Sequence, residues 1–281
     1  MSLSRAWAVA ITMSSATLLG GCAQRLFYHP DHERYGSPGD SGLRFDDVRF
    51  VSADGTKLAG WFIPALGPAK GTVIHFHGNA QNMSAHWGFA GWLAGRGFNV
   101  FVFDYRGYGA SEGSPEPKGV YEDSVAAIRA ARVHSGVDPE RLLLFGQSLG
   151  GTNAIVALGR GERAGVRAIA VEATFASYSS IASDKLPGAG LLMSDAYSAD
   201  RVVAALSPTP LLLIHGTADA VIGPKHSAML YAKAKEPKAF IVVPGGEHIE
   251  AMTARFGDTY RDELVAFFEH ALEGAEPHRG R

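Results

Sequence analysis

The sequence predicts an α/β fold, with a mostly parallel sheet covered by helices on both faces. Three observations predict it. Short continuous apolar runs alternate with helical stretches from residue 72 to residue 272, and strands that are apolar without a break are buried on both faces. A hairpin pattern at 45–64 precedes them. A glycine-flanked turn at 146–150 falls where one buried strand gives way to a helix.

The elements follow in order. In FDDVRFVSADGTKLAGWFIP at 45–64, Asp54-Gly55 separates two alternating segments, which signals a hairpin. TVIHFHG at 72–78 is a buried strand, and 84–95 is a helix carrying Trp87, Phe89 and Trp92 among its apolar positions. NVFVFDYRG at 99–107 is a strand, and VYEDSVAAIRAARV at 120–133 an amphipathic helix. The strand RLLLFGQS at 141–148 runs into the helix LGGTNAIVALG at 149–159. AIAVEATF at 168–175, PLLLIHG at 210–216, AMLYAKA at 228–234, AFIVVPG at 239–245 and YRDELVAFFEHAL at 260–272 continue the alternation. Right-handed crossovers then give parallel strands. Residues 176–209 break the rhythm with Pro187, Gly188 and Gly190, leaving room for two short helical stretches at most and a small lid.

Composition narrows the function. The 281 residues are 46% hydrophobic and 19% charged with a formal net charge of −2, so no basic excess points to nucleic acid. The single cysteine, Cys22, rules out an intramolecular disulfide and a cysteine-based zinc site. Residues 1–21 carry one charge, Arg5, followed by the apolar stretch Ala6–Leu19 and then Gly20, Gly21 and Cys22. A positive start, a short apolar run and a small-residue exit read as a signal peptide over 1–21. The stretch is shorter than the roughly 20 residues a spanning helix needs. Residues 22–44 are turn-rich and read as a linker, 45–273 as one domain with the lid at 176–209, and 274–281 as a disordered tail.

Leu19-Gly20-Gly21-Cys22 resembles the bacterial lipobox. The resemblance implies a lipid on the sulfur of Cys22, cleavage before it and a cell-envelope location. Ala23 after the cysteine, in place of Asp, implies the outer membrane on its periplasmic side. An uncleaved inner-membrane anchor and a secreted or periplasmic form are the alternatives.

The chemistry centres on Gly146-Gln147-Ser148-Leu149-Gly150, a G-x-S-x-G pattern in strand–turn–helix context. The turn is sharp enough that side chains two residues before and after the serine would clash, and Gly146 and Gly150 remove the clash. A serine hydroxyl is a poor nucleophile at neutral pH and needs a base. In the α/β-hydrolase fold, which this pattern resembles, the partners follow in the order Ser, acid, His. His248, after the last strand, fits the base. Asp219 is the only carboxylate on the loop 215–222, and Glu172 is the rival acid. The histidines His75, His77, His215, His226 and His270 read as structural or surface residues. Asp104 fails the chain order and is expected to brace a turn. The oxyanion donors are expected to be the backbone N–H groups of Leu149 and Asn79, with His77 shaping the loop that carries Asn79.

HFHGNA at 75–80, FDYRGYGASEG at 103–113, GQSLGG at 146–151, HGTADAVI at 215–222 and GGEHIE at 245–250 together resemble the Bem46-like, serine-aminopeptidase-like α/β-hydrolases over about residues 45–272. The resemblance favours Asp219 as the acid, because HG-x-x-D is similar to the usual acid loop. It also implies that Arg106, Gly107 and Tyr108 wall the oxyanion loop. Ile222-Gly223-Pro224 departs from the usual Val-Pro and bears on the pocket rim. The implied activity is that of a serine hydrolase acting on carboxylic esters or thioesters of small molecules or lipids, with no metal or organic cofactor required. Phe175, Tyr178 and Tyr197 are candidates for an acyl pocket. A peptidase or amidase is the alternative, with Asp184, Asp195 and Asp200 of the lid available to a substrate amine, and a catalytically silent binding module is the other. A haloalkane dehalogenase would need Asp at position 148.

Overall fold

The computed structural model describes residues 27–274. The expected signal peptide, Cys22 and the expected tail beyond Gly274 lie outside the described residues. Eight strands form the main sheet: β1 (Asp46–Val51), β2 (Lys57–Ile63), β3 (Thr72–Phe76), β4 (Asn99–Asp104), β5 (Leu142–Gln147), β6 (Val166–Glu172), β7 (Leu211–Gly216) and β8 (Lys238–Val243). Their order is β8-β7-β6-β5-β3-β4-β2-β1. Only β2 runs against the rest, pairing antiparallel with β1 and β4.

The continuous apolar runs have a simple cause. Within β3, β4 and β5 successive side chains enter opposite cores: Ile74, Phe101, Phe103, Leu142 and Leu144 face one, and Val73, Val100, Val102, Leu143 and Phe145 the other. The first core is covered by α1 (Pro117–Val133), α2 (Leu149–Gly159), α3 (Tyr178–Lys185) and α4 (Lys225–Lys233), through residues such as Ile128, Ile155, Tyr178 and Leu230. The second is covered by α5 (Thr259–Glu273) through Leu264 and Phe268, and by the turns over 83–96 through Ala90 and Leu93. α1 starts cleanly because Pro117 stands in its first turn and the Glu116 carboxylate accepts from the free N–H groups of Lys118 and Gly119.

The chain winds outward from β3 to β4 and then returns to place β5 on β3's other side. This reversal opens a crevice at the carboxyl ends of β3 and β5, the place where open α/β sheets bind ligands. The loops after β3 and β5 carry Asn79 and Ser148.

Three stretches differ from the sequence expectation. The helix expected over 84–95 is two single α-turns, Met83–His86 and Gly88–Gly91, followed by the 3₁₀ segment Trp92–Arg96. Glycine at 91 is needed there, since a Cβ would lie 2.6 Å from the Trp87 ring. The lid holds one helix, α3, and three 3₁₀ turns.

The larger difference is at 27–42, where a free linker was expected and the chain is strapped to the domain. His29–Pro30 pairs parallel with Ala80–Gln81. The Tyr28 hydroxyl lies 2.6 Å from that of Tyr178. Asn82 Nδ2 donates to Asp31 Oδ1 at 2.6 Å, and Gly109 N donates to Asp31 O at 2.8 Å. Polar residues hold this strap by hydrogen bonds to positions between 50 and 150 residues away, so no local apolar pattern announces it.

Candidate active site

Ser148 sits between β5 and α2 with φ 55° and ψ −124°, a left-handed conformation that is strained for a residue with a Cβ. Its surroundings impose it. Ser148 N donates to Glu172 O at 2.9 Å, and Thr174 Oγ1 donates to Ser148 O at 3.0 Å. A Cβ at Gly146 would lie 2.6 Å from Gly151 Cα, and one at Gly150 would lie 2.0 Å from Phe76 O. Gly151 is equally constrained, 1.7 Å from Thr174 Oγ1 for the same added atom, although the motif does not name it. Gly150→Ala is expected to cost about 3 kcal/mol or more by forcing β3 and α2 apart. Its melting temperature should fall by about 10 °C, and a melt within about 2 °C of the parent would contradict the packing argument.

The loop after β8 brings His248 to the serine. Nε2 of His248 lies 3.1 Å from Ser148 Oγ, and Nδ1 lies 2.8 Å from Asp219 Oδ2. Asp219, on the loop after β7, also accepts from Val221 N at 2.9 Å and Ile222 N at 2.8 Å, both through Oδ1. Burial by itself would push the Asp219 carboxyl up. Hydrogen bonds from His215, His248 and Ile222 outweigh that burial and hold the carboxyl well below the usual carboxylate range.

His215 is a neighbour of Asp219 that the sequence did not single out. It is fully buried, its Nε2 lies 3.3 Å from Asp219 Oδ2 and 2.8 Å from Ile222 O, and its Nδ1 lies 2.6 Å from Ser227 Oγ. With Ser227 donating to Nδ1, the proton on Nε2 faces Asp219 and the Ile222 carbonyl. The H-G-x-x-D spacing was the available signal.

Glu172, the rival acid, is turned to other partners. Its Oε2 accepts from Gln147 Nε2 at 2.7 Å and its Oε1 from Ala251 N at 2.8 Å. It thereby ties the strand before Ser148 to the loop that carries His248, and burial pushes its carboxyl up. Behind it, His75 Nε2 lies 3.1 Å from Gln147 Oε1, and burial pushes His75 down to about 3, so the ring is neutral. His226 faces Asp184 at 3.0 Å, and His270 lies on α5 beside β7 and β8. The buried Asp104 accepts from Met83 N at 2.6 Å and lies 3.3 Å from His77 Nε2, bracing the loop after β3.

That loop approaches the serine closely, since a Cβ on Gly78 would lie 3.6 Å from Ser148 Cβ. His77 Nδ1 lies 2.8 Å from Gly78 O. Asn79 is fixed through groups other than its N–H: its carbonyl accepts from Tyr108 Oη at 2.7 Å, and its Oδ1 from His29 N at 3.1 Å. Leu149 opens α2, so its N–H has no carbonyl one turn back to receive it. Asn79 and Leu149 line one cavity with Ser148 and His248. Of the expected wall, Tyr108 reaches the loop, but Arg106 points into an ion pair with Asp123 (Nη2 to Oδ1, 2.8 Å) and Asp54 (Nη1 to Oδ2, 2.8 Å).

The cavity holds about 380 Å³ and is further lined by Phe27, His86, Phe175, Ile181, Lys185, Val221, Ile222 and Ile249. Phe175 is there as expected. Tyr178 is instead buried against Tyr28, and Tyr197 packs on Tyr121 and Arg160. The lid aspartates are also elsewhere. Asp184 pairs with Lys225 and His226, Asp195 with Ser179 and Ser198, and Asp200 with Lys233. No carboxylate lines this cavity among the described residues.

Comparison with known proteins agrees with this architecture. The family described as serine aminopeptidase, S33, matches residues 67–195. The chain is 50% identical over 254 residues to the uncharacterized protein YfhR of Escherichia coli (strain K12), covering 89% of this chain and 88% of that one. It is 31% identical over 265 residues to the alpha/beta hydrolase domain-containing protein WAV2 of Arabidopsis thaliana, covering 87% and 85%. Its fold matches the esterase Pf2001 of Pyrococcus furiosus with a TM-score of 0.69 at 20% identity, over 89% of this chain and 98% of that one. With its sheet order, its Ser148 turn and these relatives, the chain belongs to the α/β-hydrolase family.

Proposed function

We propose that the protein is a serine hydrolase that cleaves carboxylic esters through an acyl-enzyme. The observation that carries this reading is the contact series Ser148 Oγ–His248 Nε2–Asp219 Oδ2, at 3.1 and 2.8 Å, opening into a largely apolar cavity. His248 takes the Ser148 proton as Oγ attacks the acyl carbon. The negative charge that forms on the carbonyl oxygen falls between the N–H groups of Leu149 and Asn79. His248 then passes the proton to the leaving alcohol and the acyl group stays on Oγ; His248 next deprotonates a water that attacks the acyl carbon, and returns that proton to Oγ as the acyl–Oγ bond breaks and the acid leaves. Asp219 fixes the tautomer with the His248 proton on Nδ1 and stabilises the imidazolium.

The lining favours an ester over an aminoacyl substrate. An amine-recognising peptidase needs an anion near the nucleophile, and the lid aspartates expected to supply one are paired with other groups. A fluorophosphonate probe should label the parent protein and not Ser148→Ala. p-Nitrophenyl esters of rising chain length should be turned over in preference to aminoacyl anilides. Faster anilide cleavage would overturn the ester reading, and an unlabelled parent would point to a silent binding module.

His215 acts in this reading as a positioning residue for Asp219. His215→Leu should lower kcat about tenfold with KM unchanged, the size of one charge-assisted hydrogen bond of about 1.5 kcal/mol. His215→Gln should recover part of the loss, while an equal fall in both variants with matching melts would remove the role. The N-terminal motif extends the proposal to location, with a lipid on Cys22 anchoring the enzyme in the cell envelope. Fatty-acid label should be incorporated by the parent and lost in Cys22→Ala.

A further inference from the structure

Among the described residues that line the Ser148 cavity, Lys185 carries the one permanent charge. His86 lies on the same wall, but burial, helped by His77, pushes it down to about 4, so its ring is neutral. Lys185 ends α3, one turn beyond Ile181, which lines the cavity as well. Residues four apart share a helix face. Ile181 is buried and Lys185 is exposed, so the lysine stem extends the apolar wall outward and its ammonium stands at the cavity mouth.

That ammonium is held but not neutralised. It has three N–H groups. One donates at 2.8 Å to the carbonyl of Val221, another cavity residue, on the loop that carries Asp219. No carboxylate among the described residues pairs with it. Asp184, its neighbour in the chain, faces Lys225 and His226. Lys57, Lys70, Lys118, Lys225 and Lys233 each meet a carboxylate. Lys185 thus keeps two N–H groups and a full charge for a group that enters from solvent, and the Val221 carbonyl fixes its place beforehand.

We infer that Lys185 is a specificity residue that receives an anionic group, a carboxylate or a phosphate, carried by the ester that Ser148 cleaves. The anion gains charge-assisted hydrogen bonds at the mouth, while the rest of the substrate lies against Phe175, Ile181 and Ile222. An amine in the same place is repelled. The inference rests on the serine-esterase reading above and narrows its substrate class to anionic esters.

The test compares esters of similar size that differ in charge. One pair puts the anion on the acyl half: mono-p-nitrophenyl glutarate against p-nitrophenyl hexanoate. The other puts it on the alcohol half: butyryl glycerol phosphate against butyryl glycerol. The readout is the ratio of kcat/KM for the anion to that for its neutral partner. From the parent to Lys185→Gln this ratio should fall about fivefold in at least one pair, mainly through KM, the upper end for an ion pair that faces solvent. The pair that shows the fall identifies the half of the ester that Lys185 holds. Lys185→Arg should keep the parental ratio, and Lys185→Glu should lower it further than Lys185→Gln. A role confined to tying α3 to the Val221 loop lowers both members of a pair alike and cancels in the ratio. Ratios unchanged by Lys185→Gln in both pairs would overturn the inference.

Binding separates this inference from the esterase reading. In Ser148→Ala, which cannot form the acyl-enzyme, calorimetry should show one of the two anionic esters binding about fivefold more weakly once Lys185→Gln is added, with its neutral partner unaffected. If the parent turns over no ester while this loss of affinity remains, the esterase reading fails and the anion site stands. Equal affinities with and without Lys185→Gln would overturn the anion site even where esters are cleaved.

Discussion

Ser148→Ala is expected to lower kcat on p-nitrophenyl esters by about a millionfold, because a nucleophile and its base act as one unit and losing either removes the covalent route. The residue that remains is the pair of N–H groups at Asn79 and Leu149, which still stabilise the charge that water attack creates. The fold should be unaffected. Alanine keeps the Cβ, so the backbone strain at φ 55° is unchanged, and only the bond to His248 Nε2 is lost. Steady-state kinetics with thermal melting of the same sample checks both halves. A loss of less than about a hundredfold with an intact melt would mean that another group attacks the ester.

Asp219→Asn should lower kcat by about ten-thousandfold with little change in KM. The amide nitrogen, placed 2.8 Å from His248 Nδ1 in the position of Oδ2, can only donate. It would force the imidazole proton onto Nε2, facing Ser148 Oγ, so the ring could not accept the serine proton. The same variant reports on stability. The Asp219 carboxyl has an ordinary value of 3.8 and is held well below it in the folded protein, against its burial, by His215, His248 and Ile222. A carboxyl with a depressed folded pKa stabilises the fold above its unfolded value, and that contribution drains away as the pH falls through the folded one. Urea midpoints of the parent should therefore drop on acidification below about pH 4 more steeply than those of Asp219→Asn. Parallel curves would show that the carboxylate contributes nothing to folding.

The candidate site was unusually legible for a reason that lies in the chain itself. Ser148, Asp219 and His248 each follow a continuous apolar strand directly, so strand order alone places them at one edge of the sheet. The glycines at 146 and 150 mark contacts that tolerate no side chain, and such constraints act within a few residues of their cause. Glu172 and Asp219 both follow strands, and position alone could not choose between them. The choice depends on which carboxylate reaches His248 Nδ1. Glu172 is drawn to Gln147 and Ala251 instead.

The remaining misreadings share a cause. Asp184, Asp195 and Asp200 look free in the sequence, yet each finds a partner, and those of Asp184 and Asp200 (Lys225, His226 and Lys233) lie on α4. Tyr178 looks like a pocket residue and is spent on Tyr28. The strap at 27–42 looks like a linker because its hydrogen bonds run to Asn79, Asn82 and Gly109, far along the chain.

The sequence by itself determined the α/β class, the strands, and the serine and histidine of the proposed relay. These follow from local apolar runs, local sterics at glycine and the order of the strands. Only the tertiary structure decided which carboxylate meets the histidine, that His215 backs Asp219, that no carboxylate among the described residues lines the cavity, and that Phe27 of the N-terminal strap does line it. Those outcomes depend on polar groups from distant segments competing for the same few partners, and a linear pattern carries no record of who wins.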